Sequence, residues 1–159
     1  MSKTATATKA KSTKPIVDSL KTVLADSYAL LGQTHIAHWN VEGPAFFSLH
    51  AAFQTQYEEL FIAVDDIAER IRGLDEYSPG GLKTLASLSS ISELDAEAIP
   101  AKDYVAHLIE CNEIVGASLR TARDTAAEKG DPQTEDLMIG RIQVHDKALW
   151  MLRSFLKNL

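Results

Sequence analysis

Cysteine occurs once, at Cys111, so the chain has no internal disulfide and no cysteine metal cluster. A lone thiol suits a reducing, cytoplasmic setting. No apolar run approaches the roughly 20 residues of a membrane-spanning helix. The lysines near the start have no apolar stretch behind them, so the secretory-signal pattern is missing too. Residues 1–14 lack any acid, arginine or aromatic group. No segment alternates apolar and polar residues as a half-buried strand does, and no repeat recurs at solenoid spacing.

The charge is unevenly spread. Four of the 16 basic residues, Lys3, Lys9, Lys11 and Lys14, fall in residues 1–14, leaving 12 against 22 acids, a net of −10, in the rest. MSKTATATKAKSTK has nothing to bury and reads as a disordered basic arm suited to polyanions. The acidic body, residues 15–159, is one domain and suits cations.

The body is helical in pattern. Val17, Leu20, Leu24, Tyr28, Leu31, His35 and His38 recur at three- and four-residue steps. This predicts a first helix from about Ile16 to Asn40, with Thr13 as cap and Pro15 in its first turn. VEGPAFF interrupts it. A second helix is expected over about 48–76, and a long connection over 77–100 contains LKTLASL, a candidate short helix. A third spans about 102–129. Gly130 stops it, Asp131 caps the fourth, and Pro132 opens its first turn. Four long helices with one long link between the second and third make an all-α, ferritin-like four-helix bundle with a crossover.

The chemistry concentrates in residues 35–71, which hold His35, His38, His50, Asp65, Asp66 and Glu69. Imidazole and carboxylate together suit iron or zinc. Asp65 and Glu69, four apart, share a helix face. His38 ends one helix and His50 begins the next, so antiparallel packing puts both at one end. His50 and Asp65 are separated by about 22 Å of helix rise. No single metal within one chain reaches both. They meet only if a second copy packs antiparallel about a two-fold axis, which creates two identical sites. Plainer readings stand beside this one: Asp66 on a solvated face, Asp65 and Glu69 in ion pairs with Arg70 or Arg72, and His35 and His38 as hydrogen-bonded core residues. Trp39 and Trp150 read as packing anchors. His107 and His145 receive no role.

AHWNVEGPAFFSLH followed by DDIAERI, with the basic arm, the central link and GDPQTEDL…DKALWML, resembles the Dps family, the ferritin-like DNA-binding proteins from starved cells. The resemblance covers nearly the whole chain. It implies a hollow homo-dodecamer in the cytoplasm, in contact with the nucleoid, that oxidises Fe(II) with hydrogen peroxide and stores ferric mineral. It puts ligands at His38 and His50 of one subunit and Asp65 and Glu69 of its mate, with Trp39 beside the site and zinc as a competing metal. It also implies acidic pores, for which Glu128, Asp131, Glu135 and Asp136 are candidates, and non-specific DNA binding by the lysine arm. One position departs from the family. Gln54 stands where an aspartate ligand is usual and offers a weaker, neutral amide oxygen with one negative charge fewer, and His35 either partly replaces the missing carboxylate, as ligand or through a water, or only hydrogen-bonds at the interface. A non-catalytic metal-sequestering shell and a DNA-compacting structural protein are the competing readings.

Overall fold

The computed structural model describes the backbone of residues 3–95 and 97–157, and the side chains of residues 13–95 and 97–157. Its helices are α1 (Lys3–Asn40), α2 (Phe46–Gly73), α3 (Leu82–Leu88), α4 (Ala101–Lys129) and α5 (Pro132–Leu156). Among the described residues there is no strand. The fold is the all-α, ferritin-like bundle with a short helix in the long link.

α1 starts at Lys3, not at Pro15, and Thr13 lies within the helix instead of capping it. The preceding segment is rich in alanine and lysine, which favour helix. Proline there removes only one backbone donor. The side chains of Lys3, Lys9 and Lys11 lie outside the described residues, so most of the expected arm does too. Lys14 is described and pairs with Asp18 one turn on.

α1 ends at Asn40, and in the short turn that follows Gly43 takes a φ of 96°, a left-handed conformation open to glycine without strain. α2 then begins at Phe46, two residues before its expected start, and packs against α1. Leu20, Val23, Phe53, Ile67, Ile71, Leu108, Leu119 and Met138 fill the shared core.

The link from α2 to α4 is pinned to α1 at successive points. Buried Asp26 accepts hydrogen bonds from Ser89 Oγ and Ser90 N at 2.9 and 2.8 Å. Two turns further along α1, buried Gln33 accepts from Leu94 N at 2.9 Å and contacts His107 Nε2 at 3.0 Å. The link therefore travels the way α1 does, and α4 starts at the end of the bundle where α1 finishes. That sets α4 parallel to α2.

At the far end, Gly130 (φ 70°) closes α4 in the left-handed conformation. Asp131 caps α5 by accepting from Thr134 N at 3.1 Å and Thr134 Oγ1 at 2.6 Å. Arg70, at the end of α2, grips both Asp131 oxygens at 2.9 and 2.8 Å. Burial works against the Asp131 carboxylate, but the bonds from Thr134 and Arg70 outweigh it and hold its pKa below the usual value. Both oxygens are thus engaged within the chain. Of the acidic pore candidates, Glu128 and Asp136 are exposed and Glu135 is partly so.

A polar network crosses the bundle interior. Arg141 pairs with Glu59 through its two terminal guanidinium nitrogens, the Nη2–Oε2 distance being 3.0 Å. Arg141 Nη2 also meets His145 Nε2 at 3.2 Å, and His145 Nδ1 meets Asn112 Oδ1 at 2.8 Å. Asn112 Nδ2 donates to Leu108 O, which turns its oxygen to the histidine. The partners therefore demand a neutral His145 that donates from Nδ1 and accepts at Nε2. Burial, followed by the Arg141 charge, pushes its pKa down to about 3.

Two consequences can be measured. The folded protein keeps His145 neutral, whereas the unfolded chain protonates it near the ordinary value of 6.5. The stability this group supplies is complete above that pH and drains away as pH falls from 6.5 toward 3. His145→Gln should flatten the acid side of a stability-versus-pH curve, and an unchanged slope would contradict the assignment. Asp131→Ala removes the cap and strands a partly buried Arg70, lowering unfolding free energy by about 2 kcal/mol. Urea unfolding with an unmoved midpoint would contradict that.

Candidate metal centre

The last carbonyls of a helix have no partner within it. α1 satisfies one of them with a side chain from α2: His50 Nδ1 donates to His38 O at 2.8 Å. The exchange is reciprocal, since His38 Nδ1 donates to His50 O at 2.9 Å. The two rings stack with centroids 3.7 Å apart and planes 20° apart. A carbonyl only accepts, so both Nδ1 atoms carry the proton. In the neutral form that binds a metal, each ring then has its lone pair on Nε2. Among the described residues neither Nε2 has a hydrogen-bond partner. Two imidazole donors are thus oriented and held in the tautomer a metal needs.

Aromatic groups frame the pair. Tyr57 sits edge-on to His38 with centroids 5.1 Å apart and tilts against His35 at 4.4 Å. His35 stacks flat on Trp39, 5.1 Å between centroids and 1° between planes. Burial, then the neighbouring His38, lowers the His35 pKa. No hydrogen bond to His35 occurs among the described residues, and its contacts there are the Trp39 and Tyr57 rings. Trp39 is 67% exposed and so is not a core anchor of this chain.

Asp65 and Glu69 are exposed on α2, and neither has an ion pair or hydrogen bond among the described residues. The expected pairing with Arg70 or Arg72 does not form. Arg70 is committed to Asp131 and Thr134, and Arg72 to the Glu76 carbonyl and the Tyr77 ring. Asp66 is exposed, as expected. Within the chain, no three metal-binding side chains come together among the described residues. The four ligand candidates remain two pairs, His38 and His50 where the end of α1 meets the start of α2, and Asp65 and Glu69 further along α2.

The surface beside them is apolar. Phe61 and Ile62 are 68% and 64% exposed, and Phe47 is 85% exposed. Asp65 lines a hollow with Tyr28, Phe61, Ile62 and Leu85, and a neighbouring hollow joins Tyr28 and Phe61 to His35 and Trp39.

Other histidines serve the fold. His145 belongs to the interior network. His107 touches Gln33 and lies 3.4 Å from the Cys111 sulfur. Burial, assisted by Glu110, pushes the Cys111 thiol up to about 12, which excludes a reactive thiolate there. Sequence reasoning missed Tyr57, although it lies two turns after His50 on the same helix and so was within reach of the pattern.

A Ferritin model, the ferritin-like domain, matches residues 17–159. The chain is 33% identical over 145 residues to DNA protection during starvation protein 2 of Bacillus anthracis, covering 91% of this chain and 99% of the relative. It is 36% identical over 144 residues to an uncharacterized low temperature-induced protein of Nostoc, covering 90% and 80%. The Dps crystal structure from Vibrio cholerae, described as a member of a broad superfamily of ferritin-like diiron-carboxylate proteins, superposes with a TM-score of 0.89 at 28% identity, covering 93% and 92%. The chain is thus a ferritin-like protein. Within that class it belongs to the Dps family. Membership supports iron storage, protection of DNA and ferroxidase-type oxidoreductase chemistry as its general province. No helix among the described residues is long and apolar enough to cross a membrane.

Proposed function

We propose that this chain is one subunit of a hollow dodecameric shell in the cytoplasm that oxidises Fe(II) with hydrogen peroxide and stores the ferric product. The reaction takes place at sites shared by two copies. The observation that carries the reading is the division of the ligands. Two histidines are preset with free Nε2 lone pairs, two carboxylates have no partner, and the pairs are too far apart to meet within one chain. The carboxylates lie on α2 beside exposed Phe61 and Ile62, on a face apolar enough to need covering. A second copy laid antiparallel about a two-fold axis covers that face. It brings its own Asp65 and Glu69 to His38 and His50, and the symmetry makes two sites.

Nitrogen and carboxylate oxygen together suit Fe(II), and the same set accepts zinc as a competitor. Peroxide takes one electron from each of two Fe(II) ions and, with two protons, leaves as two waters. No hydroxyl radical is released. Trp39 and Tyr57 wall the site beside the histidines. Glu128, Glu135 and Asp136 supply negative charge for the acidic pores through which Fe(II) enters, with Asp131 held in place by Arg70. The lysines at 3, 9, 11 and 14, repeated twelve times, bind DNA phosphates without reading sequence and bring the shell to the nucleoid. Such binding weakens steeply with salt.

The direct test mixes anaerobic protein with graded Fe(II), adds peroxide and follows ferric absorbance against peroxide consumed. Two Fe(II) oxidised per peroxide, with the fast phase lost in His38→Ala and in Asp65→Ala, is the expected result. Oxidation no faster than iron in buffer would reduce the protein to a sequestering or DNA-compacting shell. For the arm, deleting residues 1–14 should abolish the low-salt shift of DNA in a gel. A truncated protein that still retards DNA would remove the lysines from the account.

A further inference from the structure

The stripe of α2 that carries His50, Asp65 and Glu69 also carries a hydrogen-bonded pair the proposed site has not used. Gln54 lies one turn after His50, and Glu58 one turn after Gln54. At 100° per residue, His50, Gln54, Glu58, Asp65 and Glu69 fall within about 100° of arc on the helix. Gln54 Nε2 donates to Glu58 Oε1 at 2.8 Å. An ionised carboxylate only accepts, so the amide must offer its NH₂ to Glu58. The carboxamide oxygen is then the atom left without a hydrogen-bond partner among the described residues. Both residues are exposed, so packing does not dictate the arrangement.

We propose that Glu58 is a positioning residue for the metal site: its carboxylate orients the Gln54 carboxamide so that Oε1, not Nε2, faces the metal. The same hydrogen bond draws electron density onto Oε1 and strengthens a neutral donor. The charge missing from position 54 is thereby set one turn further along the helix. The inference rests on the shared-site reading above. If the pair is only an ordinary helix-surface contact, it supports α2 and does nothing to the metal.

The test titrates the assembled, anaerobic protein with Co(II) alone, by calorimetry, so that no turnover is needed. Four proteins form a cycle: the parent, Glu58→Gln, Gln54→Asp and the double variant. His38→Ala runs alongside. In the parent background, Glu58→Gln should weaken Co(II) binding about tenfold. In the Gln54→Asp background the same change should cost less than about twofold or tighten binding, because a carboxylate at 54 needs no orienting. Equal losses in both backgrounds would reduce Glu58 to a distant charge and overturn the positioning role. No loss in the parent would overturn it as well. Co(II) binding that survives His38→Ala would bring down the shared-site reading and this inference with it. Binding lost in His38→Ala but unchanged in Glu58→Gln would sink the inference alone.

Discussion

The crossed pair of hydrogen bonds between His38 and His50 is the constraint on which the rest depends. It ties the end of α1 to the start of α2, satisfies an orphan helix carbonyl and fixes the protonated nitrogen of each ring. A carbonyl tolerates only a donor, so one local contact determines both the packing of a helix pair and the direction of two lone pairs. The same contact gives the site its limit. With both rings committed at one end of α2 and both carboxylates free further along it, one chain holds half of each proposed centre.

The interior of the bundle takes the opposite course. Arg141 brings a permanent cation among the helices, Glu59 neutralises it, and His145 is held neutral between Arg141 and Asn112. Breaking such a pair leaves an uncompensated buried charge. The Arg141 charge is thus matched within the chain, while the Asp65 and Glu69 carboxylates have no partner among the described residues and lie on the face that the proposed partner covers.

The helices and the split site were legible in the sequence because each rests on short-range spacing. Apolar positions at three- and four-residue steps mark the helices, and helix rise alone separates His50 from Asp65. What was not legible depends on register between distant segments. Glu59 and Arg141 are 82 positions apart, and Asn112 and His145 are 33 apart. Arg70 was expected to pair with its neighbours Asp65 or Glu69, yet it reaches Asp131, 61 positions away, because the α4–α5 turn lands beside the end of α2. The start of α1 was misplaced for a different reason. Pro15 reads as an opening residue, but the helix-favouring segment before it tolerates one lost backbone bond.

Subunit mixing tests the central claim most directly. His38→Ala and Asp65→Ala shells are each dissociated, mixed in equal amounts and reassembled. If each site takes its histidines from one copy and its carboxylates from the other, every mixed dimer regains one intact site of two. Fast peroxide-dependent Fe(II) oxidation then returns to about a quarter of the parent's. If mixing restores nothing, while two parent samples put through the same cycle recover fully, each site draws its ligands from a single chain and the shared-site account is wrong.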